Sequence, residues 1–341
     1  MNPIVLNETL PKDCLYPFTL MRSVLDIRIG ILTLREKWER LTGEKVTGQK
    51  PEIHSAIPAN IIPTRHFLES IKNGSPDFSE EKKLDYPWQI FQLSDAAIRS
   101  DFILVTKNKK SRTVTGTNKI ISPENIFIDE GAKIGHAILN ASTGPIYISK
   151  NAEIMEGSMV RGPFFLGEES ILKMGTKIYG ATSIGKKCVI GGEVKNSVFF
   201  DYSNKAHDGY IGDSVIGQWC NLGAGTSNSN LKNNAGSVKV WSEEKKQLIP
   251  VGTKCGLLMG DYSRSAINTS FNTGTVTGIC CNIFGTGLTP KHIQNFSWGF
   301  DKMVKYEFEK AIKDIMNWEK LKNELLTDHE IQTLRHIFEN S

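Results

Sequence analysis

The chain has 341 residues, a formal net charge of +4, 39% hydrophobic residues and six cysteines. That is enough length for two domains and a core without disulfide staples, and the mild positive balance suits anionic small molecules while offering no basic strip for nucleic acid. The apolar runs are too short to span a membrane, no basic leader precedes an apolar stretch and the cysteines lack metal-ligand spacing, so the expectation is a soluble, cytoplasmic protein with no metal centre and no membrane insertion.

Glycine divides the chain in three. Of 30 glycines, four precede Gly116, 26 fall between Gly116 and Gly299, and none follows. Residues 1–115 read as an α/β unit. A short strand at Ile4-Val5-Leu6 leads to a helix that carries Ile27, Ile31, Leu34, Trp38 and Leu41 on one face and stops at Gly43. A polar surface loop is expected from Ser75 to Leu84, followed by ordered amphipathic sequence from Pro87 to Val105.

Residues 116–299 repeat. Ile148, Ile154, Val160, Leu166, Leu172, Ile178, Ile184 and Ile190 recur every six residues, with small residues such as Ser158, Ser170, Thr176 and Cys188 two places earlier. A period of six fits neither a helix nor an antiparallel meander. It fits a coil of three flat strands and three corners, with the aliphatic side chain inside and small residues at the turns. This predicts a parallel β-helix. Residues 227–249 interrupt it with polar sequence around Val238-Lys239-Val240-Trp241, which reads as an inserted arm, hairpin-like. From 300 to 341 the pattern turns helical: Met303, Tyr306, Phe308, Ile312, Ile315, Trp318 and Leu321 form a stripe, and Thr327-Asp328-His329-Glu330 is a capping box. These helices are expected to cap the β-helix.

The six-residue pattern fails over Asn204-Lys205-Ala206-His207-Asp208-Gly209-Tyr210-Ile211-Gly212-Asp213, where polar residues replace apolar ones, as happens where a site overrides folding preference. Asn221-Leu222-Gly223-Ala224-Gly225-Thr226 and Asn230 follow. This arrangement resembles the acetyltransferase half of the bacterial bifunctional family that acetylates glucosamine-1-phosphate and then uridylylates it. Asp26-Ile27-Arg28-Ile29-Gly30-Ile31-Leu32, Tyr86-Pro87-Trp88-Gln89-Ile90-Phe91 and Asn295-Phe296-Ser297-Trp298-Gly299 are similar to marks of a Bacteroidetes-type variant of that family.

The resemblance implies a left-handed winding, a homotrimer with sites between adjacent prisms, acetyl-CoA or another acyl-CoA as co-substrate, and a sugar phosphate as acceptor. It gives His207 the role of general base, which an imidazole can fill at neutral pH. Lys205 would face a phosphate, although one residue fewer separates it from His207 than in the family. Tyr210, Asn221 and Asn230 would contact sugar or acyl group, and the N–H groups of Gly223, Ala224 and Gly225 would meet the cofactor end and the oxyanion.

The alternative activity is sugar-1-phosphate nucleotidyl transfer by the N-terminal unit, which would require Mg²⁺ and a glycine-rich phosphate loop. This chain has Asn7-Glu8-Thr9-Leu10-Pro11-Lys12 where the family has such a loop. Lys12, Arg22 and Arg28 are the remaining phosphate candidates, a solvated helix face being the other reading of the two arginines. The unit therefore reads as a reduced, inactive or substrate-docking relic. A non-catalytic trimeric scaffold is the third reading.

Overall fold

The computed structural model describes residues 4–8, 12–49, 57–73, 78, 81–113 and 116–341. The period of six becomes a triangular prism of three sheets with nine, ten and six strands, all parallel except the terminal strand Val304–Lys305 of the ten-stranded sheet, and the chain climbs from one coil to the next. The fold class is the expected one: a left-handed parallel β-helix behind a short α/β unit, with helices at the C-terminus. Ile148, Leu166, Ile184, Phe199 and Ile216 stack in register down the inside of the nine-stranded sheet. All five are fully buried, and each contributes about 1.5–3 kcal/mol by leaving water.

The small residues have a second use beyond size. Ser170 Oγ donates to Gly185 O at 2.6 Å and accepts from Cys188 N at 2.8 Å, and Ser203 makes the equivalent pair with Gly217 O and Cys220 N, stitching corner to corner. The glycine after the aliphatic residue works by close approach rather than by unusual dihedrals: a Cβ on Gly167 would lie 2.4 Å from the backbone of Gly185. The left-handed corner instead takes Tyr202, Trp219, Tyr262, Cys280 and Phe296, all with φ between 54° and 65°.

In the N-terminal unit, strand Ile4–Asn7 pairs in parallel with Val46–Gln49. The helix expected from Ile27 starts only at Leu34. Gly30 turns the chain at φ 76°, Arg28–Ile29 pairs back on Leu32–Thr33, and Thr33 with Glu36 forms a capping box that opens α1 (Leu34–Thr42), closed by Gly43 in the left-handed conformation. Three more helices follow: α2 (Arg65–Lys72), α3 (Gln89–Gln92) and α4 (Ser94–Thr106). The loop expected from Ser75 to Leu84 falls partly outside the described residues, and its last residue, Leu84, is fully buried.

This unit does not stand apart from the prism. The outer face of the nine-stranded sheet presents Phe127, Tyr147, Phe165, Val198, Val215, Leu258 and Val276, which merge with Phe18, Leu25, Ile31, Leu32, Ile90 and Ile98 into shared buried clusters. A buried ion pair holds the unit itself together. Asp101 of α4 takes Lys37 and also accepts the N–H groups of Ile31 and Leu32, while burial pushes the Lys37 ammonium down and the Asp101 carboxyl up.

The inserted arm is a hairpin of Lys239–Ser242 and Gln247–Pro250. It folds back: Val238 and Val240 are fully buried in the shared cluster, and Trp241 stacks on His292 at 4.7 Å. The start of the arm remains part of the coil, since Ser227–Asn228 pairs in parallel with Ser270–Phe271. At the C-terminus, α5 (Phe308–Lys320) and α6 (Asp328–Glu339), the latter opened by the Thr327–Glu330 capping box, pack along the corner stack of Tyr202, Trp219, Tyr262 and Phe296. The cap thus covers an edge of the prism. No helix among the described residues is long and apolar enough to cross a membrane.

Candidate active site

Two of the three prism faces are dressed by other parts of the chain, the nine-stranded one by the N-terminal unit and the ten-stranded one by contacts from beyond α5 such as Lys322 Nζ to Asn204 Oδ1 at 3.0 Å. The six-stranded face is open. His207 sits exposed in the turn that joins strand Asn204–Lys205 of the ten-stranded sheet to Tyr210–Gly212 of the six-stranded sheet, at the edge of this open face.

Tyr210 and Asn230 do come together beside it. Asn230 Nδ2 donates to the Tyr210 hydroxyl at 3.2 Å and also to Asp213, whose other oxygen accepts from Asn196 Nδ2 at 2.6 Å. Burial, aided by the Asp213 carboxylate, pushes the Tyr210 hydroxyl up to about 12, so it keeps its proton and can donate it in a hydrogen bond. The Asn230 amide nitrogen is committed to these two bonds.

Other predicted residues fall elsewhere. Lys205 points into the prism, 2% exposed, in register with Ile190. The expected phosphate contact is thereby corrected. Burial lowers its ammonium to about 8, and Nζ donates to His207 O at 2.7 Å. Asn221 faces outward on the ten-stranded sheet between Asn204 and Arg264, on a different face from Tyr210. Of the three backbone donors, Gly223 N–H is bonded to Ser265 O at 3.1 Å and Gly225 N–H to Asp208 O at 3.0 Å, both within the coil ladder. Ala224 N–H is the member of the trio outside that ladder.

The N-terminal arginines are likewise corrected as phosphate contacts. Arg22 makes a two-pronged bond to Asp261 at 2.7 and 3.2 Å, contacts Gln218 Oε1 at 3.0 Å and lies over the Phe200 ring. Arg28 bonds Ile31 O at 2.6 Å and Asp201 at 3.3 Å, over Phe165. Both fasten the unit to the prism. The Lys12 side chain lies outside the described residues. Among the described residues no group of three or more His, Cys, Asp or Glu could hold a metal ion.

The open face also holds groups that sequence reasoning missed. Lys177, Glu193 and Tyr210 form one outward column, and Arg161, Tyr179 and Lys195 the next. Tyr179 OH donates to Glu193 Oε1 at 2.5 Å, and Lys195 Nζ sits 5.8 Å from the Tyr179 ring centroid. Arg161 and Lys177 are exposed and, among the described residues, have no acidic partner. They line a cavity of about 640 Å³ together with Asn140, Tyr179, Glu193 and Arg99 of α4. The available signal was position: each flanks an in-facing residue (Val160, Ile178 or Val194) and therefore points outward.

A family described as "Sugar nucleotidyl transferase" matches residues 4–79. The bifunctional protein GlmU of Synechococcus elongatus is 32% identical over 134 residues, covering 33% of this chain and 29% of that protein. A bifunctional sugar-1-phosphate nucleotidylyltransferase/acetyltransferase of Sulfurisphaera tokodaii is 31% identical over 168 residues, covering 48% of this chain and 39% of that protein. The chain spans less than half the length of these curated relatives. Among solved structures, the polySia-specific acetyltransferase NeuO aligns with a TM-score of 0.29 and 12% identity, over 56% of this chain and 87% of that one.

Proposed function

We propose that this chain is an acyl-CoA-dependent acyltransferase, of the Bacteroidetes-type variant of the bifunctional family, acting on an amino-sugar phosphate or nucleotide-linked amino sugar. The observation that carries this reading is that exposed His207 lies three residues before Tyr210 of the Tyr210–Asn230–Asp213 network, on an open face whose neighbouring coils present Lys195, Lys177 and Arg161. The His207 imidazole takes the proton from the acceptor amine or hydroxyl as that atom attacks the thioester carbonyl. The oxyanion that forms is met by the Ala224 N–H or the Tyr210 hydroxyl. Collapse breaks the C–S bond, the thiolate recovers a proton from the imidazolium, and free thiol and acylated sugar leave. The cations hold the acceptor's phosphate.

The partner is a second and third copy of the chain. Ile138 and Met159, 38% and 42% exposed on the open face, are apolar surface that a homotrimer would cover. Release of free thiol from acetyl-CoA, followed with glucosamine-1-phosphate and with nucleotide-linked amino sugars, tests the reading. Acceptor-dependent release is expected, and thiol release with none of them would overturn it.

The match over residues 4–79 keeps nucleotidyl transfer as the second reading. The commitment of Arg22 and Arg28 to Asp261 and Asp201 argues against it, and Mg²⁺-dependent pyrophosphate release from a nucleoside triphosphate would establish it.

A further inference from the structure

Eight positions stack on the inside of the ten-stranded sheet: Ile134, Ile154, Leu172, Ile190, Lys205, Leu222, Ser265 and Ile283. Six are Ile or Leu. Ser265 is small and pairs with Thr226 Oγ1 at 3.0 Å. Lys205 is the charged member, 2% exposed, and among the described residues it forms no ion pair. Burying an ammonium that no carboxylate contacts opposes folding, the Asp208 charge nearby offsetting part of that cost, and an aliphatic residue would suit the column, so the exception calls for a use.

Its one hydrogen bond supplies that use: Lys205 Nζ holds the carbonyl of His207 at 2.7 Å from inside the prism. From below, the same turn rests on a pair of glycines. A Cβ on Gly191 would stand 2.5 Å from Ala206 O, and one on Gly192 would stand 2.9 Å from His207 O. The coil leaves room for no side chain there, so the backbone that carries the imidazole is fixed from two directions.

We propose that Lys205 is a positioning residue: it ties down the His207 turn at the expense of fold stability and does not touch substrate. The proposal rests on the acyl-transfer reading for its kinetic consequence. Lys205→Met and Lys205→Leu restore the apolar column and test it in the full chain. The expected result is a higher Tm than wild type, a kcat reduced tenfold to a hundredfold, as about 1 Å of misplacement does, and acceptor KM within about twofold. The His207 imidazole NMR signals should shift in both variants. A lower Tm in both variants, unchanged kcat, or a raised acceptor KM at full kcat would overturn it. If wild type transfers no acyl group, the reading above fails, and Tm with the imidazole signals decides Lys205 alone: unmoved signals overturn the assignment.

Discussion

The covered and the open face of the prism are built on the same backbone ladder and the same in-facing aliphatic columns, yet their outward residues have opposite characters. The covered face shows Phe165, Val198, Val215, Leu258 and Val276 to the N-terminal unit, and they are buried. The open face shows Lys177, Arg161, Tyr179, Lys195 and Tyr210 to solvent. The in-facing columns set the coil, so each outer face can differ in character and serve packing or chemistry. Here the N-terminal unit packs on one face, with Arg22 and Arg28 paired to Asp261 and Asp201 of the prism, while the face beside His207 is polar.

That contrast can be broken most sharply by charge. Val198→Asp places a carboxylate in the covered interface and should lower unfolding free energy by more than about 4 kcal/mol in urea titrations. Lys195→Asp on the open face should stay within about 0.5 kcal/mol of wild type. Equal costs would erase the distinction. Next in size is Arg22→Ala, which strands the fully buried Asp261 carboxylate and should cost about 3–5 kcal/mol in the same assay. A phosphate contact on a solvated face would show almost no loss.

A pH series sharpens the account of the interior. Folding holds Lys205 at about 8, below the 10.5 of the free side chain. Between these values the unfolded chain binds the extra proton, so this group makes stability rise with pH through the window from 8 to 10.5. The gain relative to Lys205→Met should be on the order of 3 kcal/mol, and parallel curves for the two proteins would contradict it. The smallest effect belongs to the acceptor site. Lys195→Ala should raise acceptor KM about tenfold, roughly 1.4 kcal/mol, with Tm unchanged. An unaltered KM would remove Lys195 from the site.

The interior was legible in the sequence because every coil repeats one constraint: an aliphatic residue inside and a small residue at the corner. The capping box at Thr327 and the Gly43 stop were legible because both are local. The outer faces were not, since their neighbours depend on coil length. Eighteen residues separate Leu172 from its stacking partner Ile154, but fifteen separate Lys205 from Ile190. That shortening also hid Lys205, which reads as a solvated lysine until the register puts it beneath Ile190. Arg22 and Arg28 were misread for a related reason. Their partners, Asp261 and Asp201, lie 239 and 173 residues along the chain, and only the folded joint makes them neighbours.

The central claim is that the open face carries acyl transfer with His207 as base. Thiol release from acetyl-CoA by His207→Ala, at saturating amino-sugar acceptor, tests it most directly. Because the side chain is exposed, Tm should match wild type while the rate falls at least about a hundredfold. A variant that releases thiol at the wild-type rate would contradict the account.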